Sequence, residues 1–210
     1  MKQIALTSEN AGDVFADVEE AIRRGGIAII PTDTVYGIIA DAKNESAIKK
    51  VFAVKKRPDE KAFPVFIGSA RDARRWAYIS DQKAEFLDHV WPGQITVIFQ
   101  KKGYLPSVLT GGKETLGIRV PDSAFLLKLL SFFDFPLLQT SANISSEPAA
   151  CTPEEVLRYF DAAADDIDLF VSAGALSGTP STVIDFTSDH PILLRSGLVT
   201  KSELDRFLGL

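Results

Sequence analysis

Apolar positions along the chain switch repeatedly between a helical and a strand-like rhythm. Asp13 to Arg24 places Val14, Val18, Ala21 and Ile22 on one helical face. Arg23 and Arg24 suit the C-terminal end of that helix, and Gly25-Gly26 terminates it. Ile27 to Ile30 is a short apolar run closed by Pro31, which reads as a buried strand. Pro31-Thr32-Asp33-Thr34-Val35-Tyr36-Gly37 follows, then the apolar stretch Ile38 to Ala42. A second helix is expected over Glu45 to Lys55, ending before Pro58 because the residue ahead of a proline avoids helical geometry.

Further strands are expected at Phe63 to Ile67, Ile95 to Gln100, Thr115 to Val120, Leu137 to Thr140, Leu169 to Ser172, Thr182 to Phe186 and Ile192 to Leu194. Further helices fit Ala70 to Tyr78, Asp81 to Val90, Ala124 to Phe133, Pro153 to Phe160 and Lys201 to Phe207. Met1 to Gly12 is polar and is assigned no element. Strands mixed with helices throughout predict an α/β (α+β) domain of two or three layers. The last strands follow one another without helices, so the sheet is expected to mix parallel and antiparallel pairs.

Length and charge narrow this picture. A chain of 210 residues suits one domain, taken as 1–210, and can bury a core without disulfides or metals. Its net charge of -5 disfavours a broad grip on nucleic acid and leaves only a local basic patch open. A single cysteine, Cys151, excludes an internal disulfide framework and a multi-cysteine zinc site. No apolar run reaches the roughly eighteen residues of a membrane helix, and the N-terminus has no apolar signal core. The expectation is a cytoplasmic protein with no membrane partner.

Polar residues gather at strand ends. Thr32, Asp33, Thr34 and Tyr36 leave one strand. Lys55, Lys56, Arg57 and Lys61 surround Pro58, and their side chains are expected to project from a loop. Thr115, Gly117 and Arg119 share one face of a strand by alternation. Gln139-Thr140-Ser141-Ala142-Asn143 leaves another strand, and Pro180-Ser181-Thr182 and Arg195-Ser196-Gly197 flank the last ones. Arginine grips carboxylate and phosphate through two bonds, and lysine supplies a mobile charge. On the residues alone, turn chemistry, helix-end cations and an exposed strand face account for each cluster equally well or better. No phosphate-binding loop of the G-x-x-x-x-G-K-[ST] kind, no G-x-G-x-x-G and no G-x-S-x-G is present; Gly111-Gly112-Lys113 lacks the spacing. His89 and His190 are not spaced as metal ligands, and Cys151 has no basic neighbour in sequence. What remains suits positioning and charge stabilisation of phosphate chemistry without a covalent nucleophile.

Seven stretches in order resemble the YrdC-like family of threonylcarbamoyl-adenylate synthases. They are Pro31 to Gly37, Lys55-x-Arg57-Pro58, Trp91-Pro92-Gly93 with the strand Ile95 to Phe99, Gly117 to Pro121, Thr140 to Asn143, Pro180 to Asp185, and Leu194 to Gly197. The resemblance covers the chain from about residue 12 to residue 197, and the chain resembles the short, single-domain type. The resemblance implies a twisted mixed sheet with a concave, positively charged face. It implies a nucleotidyltransferase that makes threonylcarbamoyl-AMP and pyrophosphate from L-threonine, bicarbonate and ATP, with Mg²⁺ accompanying ATP and no protein metal site. The product serves threonylcarbamoyladenosine modification of tRNA, so tRNA and a downstream transferase complex are candidate partners. By motif, Lys55, Arg57, Thr115, Ser141, Asn143, Ser181 and Arg195 would hold ATP, Lys55 and Arg57 as catalytic residues. Thr34, Tyr36, Lys61 and Arg119 would hold L-threonine, Arg119 by its carboxylate. Ser146 departs from the pattern, since the family often has glycine there. A same-fold paralogue that binds RNA or performs another carbamoylation is the alternative.

Overall fold

The computed structural model describes residues 1–200 and 202–203. In chain order its elements are β1 (Lys2–Ala5), α1 (Ala11–Arg23), β2 (Ala28–Ile30), β3 (Gly37–Asp41), α2 (Glu45–Lys55), β4 (Val65–Phe66), α3 (Ala73–Trp76), α4 (Asp81–Val90), β5 (Ile95–Gln100), β6 (Thr115–Arg119), α5 (Ala124–Leu130), β7 (Leu137–Ser141), α6 (Pro153–Phe160), β8 (Leu169–Ser172), β9 (Thr182–Asp185) and β10 (Ile192–Arg195). Side-chain caps start four of the helices. Asn44, Ser80 and Ser123 each accept a backbone N–H from the first turn of α2, α4 and α5. Thr152 and Glu155 form a reciprocal capping box on α6, with Pro153 inside it.

The strands make one sheet in the order β1-β8-β2-β3-β7-β4-β6-β5-β9-β10. Parallel pairs (β1–β8, β8–β2, β4–β6, β5–β9) are mixed with antiparallel ones, as the sequence predicts. Side-chain alternation divides the interior into two cores. Ile27, Ile29, Ile38, Val65, Val97, Ile118 and Ile184 face one side, where α2, α3, α4 and α6 pack with Phe52, Trp76, Leu87 and Phe160. Ala28, Ile30, Ile39, Phe66, Leu137, Leu169 and Val171 face the other, where α1 and α5 pack with Val18, Ile22, Leu126 and Leu129. Each such fully buried aliphatic side chain contributes about 1.5–3 kcal/mol relative to exposure.

The register shows what α1 and α5 leave uncovered. Phe66 pairs with Arg119, and Val65 with Ile118. Gly117 pairs with Ile98, and Thr96 with Val183. Arg119, Gly117, Ile98, Thr96 and Val183 therefore continue the face that carries α1 and α5, across strands those helices do not reach.

Four expectations need correction. Lys2–Ala5 is a strand although its residues are mostly exposed; it is an edge strand joined to β8 by backbone bonds and carries no apolar signal. The helix expected over Ala70 to Tyr78 is a 3₁₀ turn (Ala70–Asp72) followed by the short α3, after which Ala77 bridges Lys101. The strand expected at Phe63 to Ile67 is only Val65–Phe66, beginning after Pro64. The helix from Ala124 ends at Leu130, not Phe133. The helix expected over Lys201 to Phe207 lies, apart from two residues, outside the described residues. No helix among the described residues is long and apolar enough to cross a membrane.

Candidate functional site

The uncovered sheet face forms a cleft of ≈ 580 Å³, within the usual range of small-ligand sites. Strands β5, β6 and β9 supply its floor through Thr96, Ile98, Thr115, Gly117, Arg119 and Val183. Arg57, Ala62, Phe63, Pro64 and Lys113 form one wall, Gln139, Thr140, Ser141 and Asn143 with Glu147 another, and Ser181 with Arg195 a third. The lining carries four cations, Arg57, Lys113, Arg119 and Arg195, against one carboxylate, Glu147. In a chain of net charge -5 this concentrates positive potential in one concavity, where low-dielectric walls focus it.

Each guanidinium is fixed by the backbone around it. Arg119 is 2% exposed; its Nε donates to Gly93 O (3.0 Å) and its Nη2 to Asp33 Oδ2 (2.6 Å). The Trp91-Pro92-Gly93 turn is thus the anchor of Arg119. Asp33 Oδ2 also accepts from Asp122 N (2.9 Å), while Asp33 Oδ1 is the one buried side-chain polar atom without a partner among the described residues. Burial draws Arg119 below its ordinary pKa, and Asp33 opposes this. Arg57 donates to Lys61 O (3.1 Å) and Ala62 O (2.8 Å) and lies 4.7 Å from the centre of the Phe63 ring. Arg195 donates to Ser181 O (3.1 and 2.8 Å) and Ser181 Oγ (3.1 Å). Burial also lowers the pKa of Arg57 and Arg195. Guanidinium stays charged at any working pH, so all three remain cations. Gly197 makes the Arg195 contact feasible: a Cβ there would meet Pro180 O at 2.3 Å and Ser181 C at 2.6 Å.

The structure brings Thr34, Arg57, Thr115, Arg119, Ser141, Asn143, Ser181 and Arg195 together around the cleft, but not Tyr36, Lys55 or Lys61. Lys55 does not project from a loop. It closes α2 at 1% exposure, and its Nζ donates to Ser141 O (2.5 Å), Asn143 O (2.8 Å) and Asn143 Oδ1 (3.0 Å). Its three ammonium donors are all spent on the Ser141–Asn143 loop, so it shapes the wall rather than forming it. Burial, and after it the Arg57 charge, pushes Lys55 down to about 7. Tyr36 is fully buried; its hydroxyl donates to Gly174 O (2.7 Å) and accepts from Ala173 N (2.9 Å), tying the loop after β8 beneath Thr34. Lys61 is exposed, and only its carbonyl takes part, through Arg57.

Ser141 Oγ donates to Asn143 Oδ1 (2.6 Å), and Asn143 Nδ2 donates to Ile144 O (3.0 Å) and Glu147 O (2.7 Å). This loop turns through Ser146 at φ 76°, a left-handed conformation that favours glycine. Sequence reasoning did not single out Thr96, Lys113 or Glu147 as site residues. Thr96 had a signal, a polar residue inside an otherwise apolar inner strand; Lys113 had one in its two preceding glycines. Among the described residues no group of three or more histidines, cysteines and carboxylates could hold a metal. Cys151 is half-buried away from the lining, and burial pushes its thiol up, so it is a poor nucleophile.

Residues 20–197 match the Sua5/YciO/YrdC family, described as "Telomere recombination". The chain belongs to this family. The threonylcarbamoyl-AMP synthase of Pyrococcus abyssi is 34% identical over 190 residues, covering 90% of this chain and 55% of the relative. That of Bacillus subtilis is 33% identical over 203 residues, covering 93% and 56%. The chain thus spans about half the length of these curated relatives. The crystal structure of Pyrococcus abyssi Sua5 complexed with L-threonine superposes with a TM-score of 0.89 at 31% identity, covering 99% of this chain and 60% of that one. The likeness to Sua5 agrees with the mixed sheet flanked by helices that the resemblance implies.

Proposed function

We propose that this chain, as one domain, is an L-threonylcarbamoyl-adenylate synthase that converts L-threonine, bicarbonate and ATP to threonylcarbamoyl-AMP and pyrophosphate. The observation that carries the reading is the cleft itself: four cations among the hydroxyls of Thr34, Thr96, Thr115, Thr140, Ser141 and Ser181, with no histidine or cysteine in its lining. Such a site can hold two anions together but offers no nucleophile–base pair. The reaction needs none. The threonine amine adds to the bicarbonate carbon with loss of water, giving a carbamate. A carbamate oxygen attacks the α-phosphorus of ATP, the bond from that phosphorus to the bridging oxygen breaks, and pyrophosphate leaves with the electron pair.

Arg119 suits the threonine carboxylate, with Thr34 beside it. Arg57, Thr115, Ser141, Asn143 and Arg195 suit the nucleotide, Ser181, bonded to both Arg195 and Thr96, stands between the nucleotide and the amino acid, and Arg57 and Arg195 offset charge that grows on the transferring phosphate. Lys55 acts through the Ser141–Asn143 loop. Tyr36 supports the threonine side from below, and Lys61 stands outside the wall. The donor set does not fit a resident metal, because Glu147 is the only lining carboxylate and Asp33 is committed to Arg119. Mg²⁺ belongs here as the companion of ATP, held by the triphosphate. The product would pass to a downstream transferase for tRNA modification in the cytoplasm.

The test is pyrophosphate release from purified protein with ATP, Mg²⁺ and bicarbonate, with and without L-threonine, and mass detection of the adenylate. Release should require threonine and fall about a hundredfold in a folded Arg195→Ala variant, the usual effect of removing one transition-state donor. Threonine-independent release, or none from folded protein, refutes the synthase and favours the same-fold paralogue that binds RNA or performs another carbamoylation.

A further inference from the structure

Two hydroxyls on the cleft floor are placed as a unit. Thr96 Oγ1 and Ser181 Oγ lie 3.2 Å apart, with Thr96 3% and Ser181 7% exposed. Arg195 Nη2 donates to Ser181 Oγ at 3.1 Å. A hydroxyl has one donor and two acceptor sites. Whichever of the two donates to the other, one O–H stays uncommitted and at least one acceptor site on Thr96 stays open. The pair can therefore donate to and accept from the same ligand group. That is the demand of another hydroxyl; a carboxylate or phosphate oxygen only accepts.

Position narrows the ligand. The β5–β6 register pairs Val97 with Ile118, so the next rung sets Thr96 beside Arg119 on the cleft face. An amino acid whose carboxylate lies on Arg119 carries its β-substituent within roughly 5 Å of that carboxylate, about one strand spacing, which brings it within reach of Thr96 in the same cleft. Its amine has to gain a carboxyl group and then reach the α-phosphate, which requires the open part of the cleft. Its β-hydroxyl is unchanged by the reaction and can be seated on a buried floor. Gly117 keeps that floor uncrowded, since a Cβ there would press on Pro64 Cβ at 3.0 Å and Thr96 Cγ2 at 3.4 Å.

We propose that Thr96, paired with Ser181, is the specificity-determining residue that reads the β-hydroxyl of the amino-acid substrate. The proposal rests on the synthase reading above. Its test compares kcat/KM for L-threonine and for L-2-aminobutyrate, the same skeleton without the hydroxyl, in the native protein, Thr96→Val and Thr96→Ser. A site built to hydrogen-bond a hydroxyl rejects the analogue that lacks it. The native protein should prefer threonine by about tenfold to a hundredfold. Thr96→Val should cut that preference about tenfold or more, through threonine alone, and Thr96→Ser should retain it. Unchanged melting temperatures establish that both variants fold. A Thr96→Val enzyme with the native preference, or one slowed equally on both substrates, overturns the proposal while leaving the synthase standing. A native protein that uses neither amino acid removes the synthase reading and the proposal with it.

Discussion

Replacing Lys55 by methionine isolates the one buried cation in the site region that does not line the cleft. Methionine keeps the length of the side chain and removes the ammonium. Ser141 O and Asn143 O then lose their donor, and each buried acceptor left without one costs about 1–3 kcal/mol. Against this stands the cost of burying the charge, which depends on pH. Lys55 lies at about 7 in the folded chain and at 10.5 in its ordinary state. The unfolded chain therefore binds more protons throughout that interval, and stability rises with pH across it. Below the folded value the burial penalty is fully present; above the unfolded value it is gone. Linkage gives a penalty of about 5 kcal/mol at about pH 6.5 and about 1.5 kcal/mol at about pH 9.5. The native protein should therefore gain about 3 kcal/mol on Lys55→Met between those conditions. Denaturant unfolding of both proteins at both pH values, at matched ionic strength, measures this directly. A difference that stays constant within about 1 kcal/mol would show that the three carbonyl acceptors hold the ammonium against burial, and the reasoning from burial would fail.

Two further substitutions test the frame around the cleft. Asp33→Asn leaves Arg119 charged and buried without its counter-ion, where side-chain exposures are 2% and 5%; a loss of about 3 kcal/mol and a raised KM for threonine are expected, and unchanged thermal stability would count against the pair. Ser146→Gly removes an L-residue from φ 76° and should raise stability by about 1 kcal/mol, seen as about 2–4 °C in melting temperature; no rise would mean the loop bears no strain there.

The elements that sequence made legible share one property: their apolar residues face a core that the chain itself supplies. Glu45–Lys55, Asp81–Val90, Ile95–Gln100, Pro153–Phe160 and Leu169–Ser172 fall where periodicity and caps put them. Lys2–Ala5 escaped because an edge strand is held by backbone bonds to β8, and backbone bonds carry no residue signature. The site divides in the same way. Arg119 is legible because alternation sets it on one strand face with Thr115 and Gly117. Its partner is invisible to any local reading, since Asp33 stands 86 positions away and looks like a turn residue until the sheet closes. Lys55 was misplaced for the opposite reason. A cluster of cations before a proline looks solvated, yet its first member is the last residue of α2 and points inward toward a loop 86 to 88 positions on. Motif order locates the cleft because its walls come from strand ends. What each wall residue does depends on whether the sheet face above it is covered. Helices α1 and α5 cover that face as far as Phe66 and Leu137. Beyond them the same face is left to Arg119, Thr96 and Arg195, which is how an acidic chain presents a cationic cleft.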